Sequence, residues 1–498
     1  MSNNEAETGQ SRSNRANGDT EYDAVVIGAG SGGIAVATGL HEHGLRVAIV
    51  ADGFVGGECA FVACIPSKSL LRSARVRREA REAVEHGAAL APLDTGADQD
   101  AWTAAVQRRD AAANDRDDTD EAQQVRDVGV DVVRGFGRVT GPGRVEVDGK
   151  ELLTSRIVLD TGSVPVIPGI DGLDDVPTWT SDQALSSDER PARLLIVGGG
   201  PIGCELAQAY RAFGTQVTVL DTSDRPVSNE DPAIGAAMRE VLERSGVQFV
   251  LGGRPVTARR DGADVVLELD DGRRVTGDRI LLVTGRKPAT DGLDAERAGV
   301  TLDDAGAVVV DDRCRAADGV WAVGDVTGVA PYTHTATHQA AVVVDDIGGG
   351  TLGLRVHADA LPRAVYTEPP LAATGLTEQQ ARDAGVDVVV AEVDLATVSR
   401  AGTEGEGPLG PDNASGGILR LIADRGDRVV VGASALGPDA DSWITEATLA
   451  IRARVPIEVL AEVVRPFPTY AEAYTTGYRE LRDMIGGSAD ALGERTNR

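Results

Sequence analysis

Residues 22–33 read YDAVVIGAGSGG, and they indicate the class of fold more strongly than any other segment. The apolar run before the glycines predicts a short buried strand, and residues 34–43 after them predict a helix. Strand, G-x-G-x-x-G turn and helix in this order are the context that a dinucleotide-binding fingerprint requires. Gly28, Gly30 and Gly33 allow the tight turn and let a pyrophosphate approach the N-terminus of the helix.

The next predicted strand, residues 46–50, normally ends in an acid that holds a ribose hydroxyl of the nucleotide. That position holds Ala51, and Asp52 follows one residue later. We hypothesise that Asp52, or a water molecule, makes the ribose contact instead.

The same pattern recurs at residues 193–203, RLLIVGGGPIG. Gly198, Gly200 and Gly203 form the turn, a helix is predicted to follow, and the next strand ends in Asp221. An acid at this point accepts hydrogen bonds from a 2′-hydroxyl and repels a 2′-phosphate, which favours NADH over NADPH. Arg225 lies close by in the sequence and moderates this preference. A duplicated fold with one empty site is the alternative interpretation.

Between the two fingerprints lies GGECAFVACIPSK, residues 56–68, with two of the four cysteines of the chain. Residues from Cys64 onward predict a helix start, with Lys68 one turn in, and a helix N-terminus or a nearby cation favours a reactive thiolate. Cys59 is expected on a loop or distorted turn before it. A metal half-site and a purely structural disulfide are the alternatives, but Cys204 and Cys314 supply no second pair of ligands.

Composition restricts the class of protein. The chain has 498 residues and a formal net charge of −29, which allows roughly three domains and makes nucleic acid or an anionic membrane improbable as a partner. Such acidity suits a protein kept soluble in high salt or one from a GC-rich genome. Residues 1–20 predict a polar disordered tail rather than a signal peptide, and no apolar run approaches the ~18 residues of a membrane span. We therefore expect a cytoplasmic protein.

The residues between Gly57 and Lys68, set between two fingerprints, resemble the class I pyridine nucleotide-disulfide oxidoreductases. This family includes dihydrolipoamide dehydrogenase, glutathione reductase and mercuric reductase. Residues 161–163 and 284–288 resemble the two chain crossings of the family, and residues 322–325 resemble its second FAD motif. The resemblance covers about residues 22–486, nearly the whole chain.

The resemblance implies an α/β fold with two Rossmann-like dinucleotide-binding domains, one for FAD and one for NAD, and a C-terminal α+β dimerisation domain. We expect the FAD-binding domain at residues 21–165 and 289–356, the NAD-binding domain at 166–288, the dimerisation domain at 357–486, and a polar tail at 487–498. A homodimer is implied, because the family completes its active site across the two-fold axis.

The resemblance also implies a mechanism. NADH would reduce FAD, and electrons would pass to a Cys59–Cys64 disulfide and then to a disulfide substrate. Cys64 would lie next to the flavin and Cys59 would attack the substrate, while Lys68 and Glu205 match the ion pair of the family near the flavin. The expected cofactor-binding residues are Gly28, Gly30, Gly33, Asp52, Gly57, Lys68, Gly137, Thr161, Gly162, Gly198, Gly200, Gly203, Asp221, Gly285, Arg286, Gly324 and Asp325.

One position departs from the family. Members that reduce small disulfides usually carry a His-Pro with a glutamate a few residues on, and here Phe467 stands where that base belongs while Glu472 remains. No histidine follows His357. Efficient lipoamide or glutathione turnover by the usual route is therefore doubtful, since loss of one acid–base group costs about 10²–10⁴-fold in rate. A diaphorase that passes electrons to quinones, dyes or metal ions, and a non-enzymatic flavin-bearing subunit, are the competing interpretations.

Overall fold

The computed structural model describes residues 20–404 and 417–486. Both expected tails therefore lie outside the described residues, apart from Thr20, which begins a strand. The described helices are α1 Ser31–Glu42, α2 Gly57–Phe61, α3 Cys64–Glu82, α4 Asp98–Ala112, α5 Thr119–Val128, α6 Ser181–Ser186, α7 Pro201–Ala212, α8 Pro232–Arg244, α9 Thr333–Ile347, α10 Glu378–Asp383, α11 Ser399–Thr403, α12 Ala440–Trp443, α13 Thr445–Arg452, α14 Ile457–Glu462 and α15 Glu472–Ile485.

The strands of the first half are β1 Thr20–Tyr22, β2 Ala24–Ile27, β3 Val47–Ala51, β4 Asp131–Arg134, β5 Gly137–Gly141, β6 Arg144–Val147, β7 Lys150–Thr154, β8 Ile157–Leu159, β9 Ser163–Pro165, β10 Thr178–Trp179, β11 Arg193–Val197 and β12 Gln216–Asp221. Those that follow are β13 Gln248–Leu251, β14 Pro255–Asp261, β15 Asp264–Leu269, β16 Arg274–Gly277, β17 Arg279–Leu282, β18 Arg286–Pro288, β19 Arg315–Ala317, β20 Val320–Ala322, β21 Arg363–Val365, β22 Leu371–Gly375, β23 Val388–Asp394, β24 Ile418–Asp424 and β25 Val429–Leu436.

These elements form two compact units. Of the described residues, the first unit comprises 20–57, 119–162 and 288–356, and the second comprises 58–118, 163–287, 357–404 and 417–486. The three expected domains are a different division of the chain, and their boundaries remain a prediction.

The first unit is built on a six-stranded sheet with the order β19-β20-β8-β2-β3-β4. Its five-strand portion β20-β8-β2-β3-β4 is parallel, and β2 and β3 are buried along their whole length. Both strands consist only of alanine, valine and isoleucine, as expected where both faces of a parallel sheet are covered. Helices α1 and α9 cross closely, because a Cβ on Gly39 would lie 2.8 Å from Val344. A second sheet, β1-β7-β6-β5, completes this unit.

The second unit contains a parallel five-stranded sheet, β10-β17-β11-β12-β13, and an antiparallel five-stranded sheet, β21-β22-β25-β24-β23. Two short sheets, β14-β15-β16 and β18-β9, are formed by residues within or next to the stretch of sequence that forms the parallel sheet. Helix α3 packs on α4 and α7, and Trp102 of α4 is fully buried against Tyr210 of α7 at a ring distance of 5.0 Å. This packing fixes the position of the helix that begins at Cys64.

Candidate active site

The two cysteines lie on consecutive helices. Cys64 is the first residue of the 19-residue helix α3, which has no side-chain cap and no acid in its first turn. This agrees with the predicted helix start, and an uncapped N-terminus favours a thiolate at Cys64. Cys59 lies in the one-turn helix α2, so the expected loop or distorted turn was wrong. Both cysteines are half-buried, and the redox-active disulfide between them stays a prediction.

Lys68 forms an ion pair with Glu205 of α7. Its Nζ lies 2.8 Å from Glu205 Oε2, and the side chains are 36% and 7% exposed, respectively. The other carboxylate oxygen accepts the backbone N–H of Tyr366 at 2.9 Å. The sequence therefore identified two residues that the structure brings together from α3 and α7.

Tyr366, which the sequence analysis did not single out, completes this cluster. Lys68 Nζ lies 4.6 Å from the centre of its ring, a cation–π distance. Burial raises the pKa of the Tyr366 phenol, and the nearby Lys68 opposes this rise. Tyr366 lies in the segment that follows β21, far from the cysteines in sequence, and no local pattern marks it.

A second ion pair holds the residue before Cys59. Arg286 donates to Glu58 Oε2 at 2.6 Å, to the Ser163 carbonyl at 2.6 Å and to Ser163 Oγ at 2.7 Å. Arg286 was expected to bind a cofactor, and here its guanidinium contacts protein groups beside the cysteine segment. The preceding residue, Gly285, has a φ of 134° with nothing within 4 Å of an added Cβ, so the backbone there borders open space.

The first fingerprint forms the tight turn that its glycines require. A Cβ on Gly28 would lie 2.0 Å from the Asp160 carbonyl oxygen, and one on Gly33 would lie 2.2 Å from that of Gly28. A Cβ on Gly57 would lie 2.8 Å from Gly30 Cα. The backbone is therefore close-packed around the start of α1. Asp52 is exposed just beyond β3. The predicted contact between Asp52 and a ribose stays a prediction.

The remaining residues expected at this nucleotide site lie in the same unit. Thr161 and Gly162 follow β8, and Gly324 and half-buried Asp325 lie in a 3₁₀ turn after β20. Gly137 begins β5, where a Cβ would lie 2.8 Å from Ile27 Cγ2. Because β5 and β2 belong to different sheets, the small size of Gly137 serves packing between the two sheets of this unit.

The second fingerprint has the same geometry in the second unit. A Cβ on Gly203 would lie 2.0 Å from the Gly198 carbonyl oxygen, whereas one on Gly200 would meet nothing within 4 Å. Asp221 ends β12, and its carboxylate accepts the backbone N–H groups of Gly199 at 2.6 Å and Ser223 at 2.8 Å. The acid is therefore held at the carboxyl end of the strand, where a nucleotide ribose binds in such folds.

Comparisons with known proteins agree with this geometry. The sequence model of the family "Pyridine nucleotide-disulphide oxidoreductase" matches residues 22–340, and the model of its dimerisation domain matches residues 361–478. The chain belongs to this family. Dihydrolipoyl dehydrogenase of Bacillus subtilis is 32% identical over 478 residues, covering 91% of this chain and 96% of the relative. Mercuric reductase of Streptomyces lividans is 32% identical, covering 91% and 95%.

Solved structures of the family share the fold. The Cu(II) complex of the HOCl-induced flavoprotein disulfide reductase RclA from Escherichia coli has a TM-score of 0.78 at 28% identity, covering 93% of this chain and 99% of that one. LpdA from Mycobacterium tuberculosis has a TM-score of 0.78 at 26% identity, covering 93% and 99%. The α/β fold with two dinucleotide-binding domains and a dimerisation domain is thereby established.

The residues around the start of α1 fit a dinucleotide, the kind of cofactor that this family uses. Gly30 is the N-cap residue of α1 and the first turn has no acid of its own, so the glycine turn can bring an anion close to the helix N-terminus. The Gly33 N–H in this turn donates to the buried Asp160 carboxylate. The hydroxyl of Thr161 is buried and, within the described part of the chain, has no hydrogen-bond partner. A buried hydroxyl without a partner is costly, and a cofactor atom at this point would satisfy it.

The segment that carries the base in many family members is exposed here. The Phe467 side chain is 75% exposed. Glu472 accepts the backbone N–H of Thr469 at 2.7 Å, and the Tyr470 hydroxyl donates to Glu404 at 3.0 Å. Burial, reinforced by Glu404, raises the pKa of Tyr470 well above its ordinary value. Glu472 and Tyr470, the proton-carrying groups nearest to Phe467 in sequence, are thus held by bonds within their own domain.

The two histidines of α9 contact other groups of the protein. His334 stacks on Tyr332 with ring centres 5.3 Å apart, and His338 Nε2 lies 3.2 Å from the Arg355 carbonyl oxygen. Among the residues the structure describes, no cluster of three or more His, Cys, Asp or Glu side chains could hold a metal ion. In the same ranges, no helix combines the length and apolar character needed to cross a membrane.

Proposed function

We propose that this chain is an NADH- and FAD-dependent disulfide reductase that uses Cys59 and Cys64 as its redox pair. Overall, NADH, a proton and a disulfide would give NAD⁺ and two thiols. The observation that carries the proposal is the ion pair between Lys68 and Glu205 at 2.8 Å. Lys68 lies one turn after Cys64 in α3, and Glu205 lies in α7, the helix of the second fingerprint. The buried Glu205 carboxylate requires a cationic partner, and this partner places a positive charge one turn after Cys64.

The residues of the chain have distinct parts in this scheme. Cys64, at the start of α3, would be kept as a thiolate by the helix N-terminus. Cys59 would attack the substrate disulfide, forming a mixed disulfide and releasing one thiol, and Cys64 would then attack Cys59 and release the second. Lys68 would supply positive charge next to the site of reduction, with Glu205 and Tyr366 fixing its position.

Two cofactors are proposed. FAD, bound at the first fingerprint through its diphosphate, would supply the ring that accepts a hydride and delivers two electrons to the cysteine pair. NADH would bind at the second fingerprint. The preference for NADH over NADPH is supported by the Asp221 carboxylate at the end of β12, which would repel a 2′-phosphate.

The substrate is a small-molecule or protein disulfide of unknown identity. Because Phe467 cannot carry a proton, we expect slow turnover of lipoamide or glutathione disulfide. The same observation favours a second candidate function, a diaphorase that reduces quinones or metal ions while the cysteine pair acts as a relay or is vestigial. Glu472 is retained from the catalytic pattern of the family, but its bond to Thr469 supports a role in starting α15.

Anaerobic titration with NADH tests the redox pair. A functional pair takes up two electrons per chain beyond the two taken up by the flavin, and Cys64→Ser abolishes this extra uptake. Uptake of only two electrons by the wild-type protein would refute the role of the pair. Cys314→Ser, which replaces a buried cysteine of the first unit, is the matched control and should keep the full uptake.

Acceptor assays separate the two candidate functions. Equal turnover of a quinone by wild type and Cys59→Ser, together with negligible disulfide turnover by the wild type, would favour the diaphorase. Phe467→His should raise lipoamide turnover if the missing base limits the rate. No gain would contradict our interpretation of this position.

We also propose a homodimer. It is supported by the dimerisation-domain match and by exposed apolar side chains of that domain, including Val464 at 92% and Phe467 at 75% exposure. A cytoplasmic location, and the absence of nucleic-acid or membrane partners, remain expectations from composition.

A further inference from the structure

A buried carboxyl group lies behind the first glycine fingerprint. Asp160 follows β8 directly and is 8% exposed. Its Oδ2 accepts the N–H of Gly33 at 2.6 Å, and the Gly30 amide is a further hydrogen-bond donor to it. The carboxyl therefore reaches the start of α1, where the fingerprint presents amide groups to a diphosphate.

Three glycines without a Cβ leave room for this carboxyl. A Cβ added to Gly30, Gly32 or Gly324 would lie 2.8, 2.9 or 2.7 Å, respectively, from an oxygen of Asp160. Gly324 belongs to the second of the two motifs expected to bind the flavin, and the others belong to the first. Asp160 thus fills the space between the two motifs.

In the part of the chain that the structure describes, no cation compensates the charge of Asp160. The loop before α1 contributes backbone amides to it, and the turn after β20 contributes Asp325, a second acid. Helix α9 approaches the same glycines through the methyl group of Ala336 and adds no charge that acts on Asp160. Among the described residues, every ionisable side chain acting on it is therefore acidic. Burial, reinforced by Asp325 and opposed by the amide hydrogen bonds, raises the pKa of Asp160 to about 8.

We propose that Asp160 makes flavin binding depend on one proton: the diphosphate binds tightly while this carboxyl is neutral and loosely once it is ionised. The inference rests on the proposed binding of FAD at the first fingerprint. A carboxylate beside a diphosphate adds like charge in a site that excludes water, and ionisation of the acid and binding of the anion oppose each other. The proton comes from solvent on binding and returns to it on release.

The pH dependence of flavin affinity tests the proposal. Holoprotein is dialysed at about pH 6 to 10, and released FAD is measured by its fluorescence. For one linked proton, the Kd is constant below the pKa of the free site, about 8, and rises about tenfold for each pH unit above it. Asp160→Asn keeps the size and the acceptor oxygen without the charge, so its Kd should not follow this rise. Asp127→Asn, an exposed acid of the same unit, should keep the wild-type slope.

A second measurement does not depend on a variant that folds. Calorimetric titration of the flavin-free full chain with FAD, in two buffers of different ionisation enthalpy at about pH 9, should show uptake of close to one proton. No uptake by the wild-type protein, or equal pH slopes for wild type and Asp160→Asn, would overturn the proposal. If the protein binds no FAD at any pH, the proposed function fails instead, so the two failures are distinguishable.

Discussion

Replacing Lys68 with methionine should destabilise the second unit more than replacing its partner. Lys68→Met leaves the Glu205 carboxylate, whose side chain is 7% exposed, with the Tyr366 N–H at 2.9 Å as its remaining donor from this cluster. Glu205→Gln instead leaves Lys68, which is 36% exposed and can be hydrated. The two variants therefore break the same ion pair but leave charges of different burial.

The magnitudes follow from this asymmetry. Removing one partner of a fully buried pair costs about 3–5 kcal/mol, and the partial exposure of Lys68 reduces this to about 2–3 kcal/mol for Lys68→Met. Glu205→Gln keeps one acceptor oxygen, which can still receive the Tyr366 N–H, while the partly exposed Lys68 turns to water, so we expect about 1 kcal/mol. The double variant should be less destabilised than Lys68→Met, because it leaves no buried charge.

Urea unfolding followed by tryptophan fluorescence measures these differences, since Trp102, Trp179 and Trp443 all lie in the second unit. The control is Arg239→Met, which breaks the exposed pair with Glu243 and should change stability by less than about 0.5 kcal/mol. If Lys68→Met costs no more than Glu205→Gln, or no more than this control, the argument from burial is refuted.

Three further predictions concern other parts of the second unit. Gly203→Ala should lower the Tm and abolish NADH binding, because its Cβ would lie 2.0 Å from a backbone oxygen, whereas Gly200→Ala has room and should keep the fold, as thermal unfolding will show. Asp221→Ser should raise the NADPH-to-NADH ratio of kcat/KM by at least about tenfold, since removing the acid removes a repulsion worth about 1.4 kcal/mol or more; an unchanged ratio would contradict this. A hydrogen bond from Arg77 lowers the pKa of Asp98 in the folded protein. The ion pair therefore stabilises the fold fully at pH values above the pKa of aspartate in the unfolded chain, and this stabilisation is lost as the pH falls through the lowered pKa of the folded state. Asp98→Asn should therefore lose less stability than wild type between about pH 5 and 3, and an equal loss would count against the pair.

The elements that position the site could be predicted where local chemistry determines them. Both fingerprints were recognisable because a glycine turn between an apolar strand and a helix has one common use. The helix start at Cys64 was predictable because Pro66 suits a first helical turn and Lys68 lies one turn in. In each case the necessary information lies within about a dozen consecutive residues.

What could not be predicted depends on contacts between distant segments. Tyr366 is separated from Lys68 by about 300 residues of sequence. Asp160 accepts a hydrogen bond from the Gly33 N–H, which lies 127 residues earlier. Arg286 was expected at a cofactor, but its partners Glu58 and Ser163 become visible only when the chain crossing is folded. Contacts between such distant side chains follow from tertiary packing, which no local sequence pattern encodes.

The second unit holds the cysteine segment from two sides. Glu58, directly before Cys59, pairs with Arg286. Arg286 follows β17, the last strand in sequence of the parallel sheet of the second unit. Lys68, four residues after Cys64, pairs with Glu205 of α7, the helix that follows strand β11 of the same sheet. Because the two ion pairs bracket both cysteines, the pair is tied to the nucleotide fold independently of the Phe467 segment. Loss of the base at Phe467 should therefore change which acceptor is reduced, while leaving delivery of electrons to the cysteines intact.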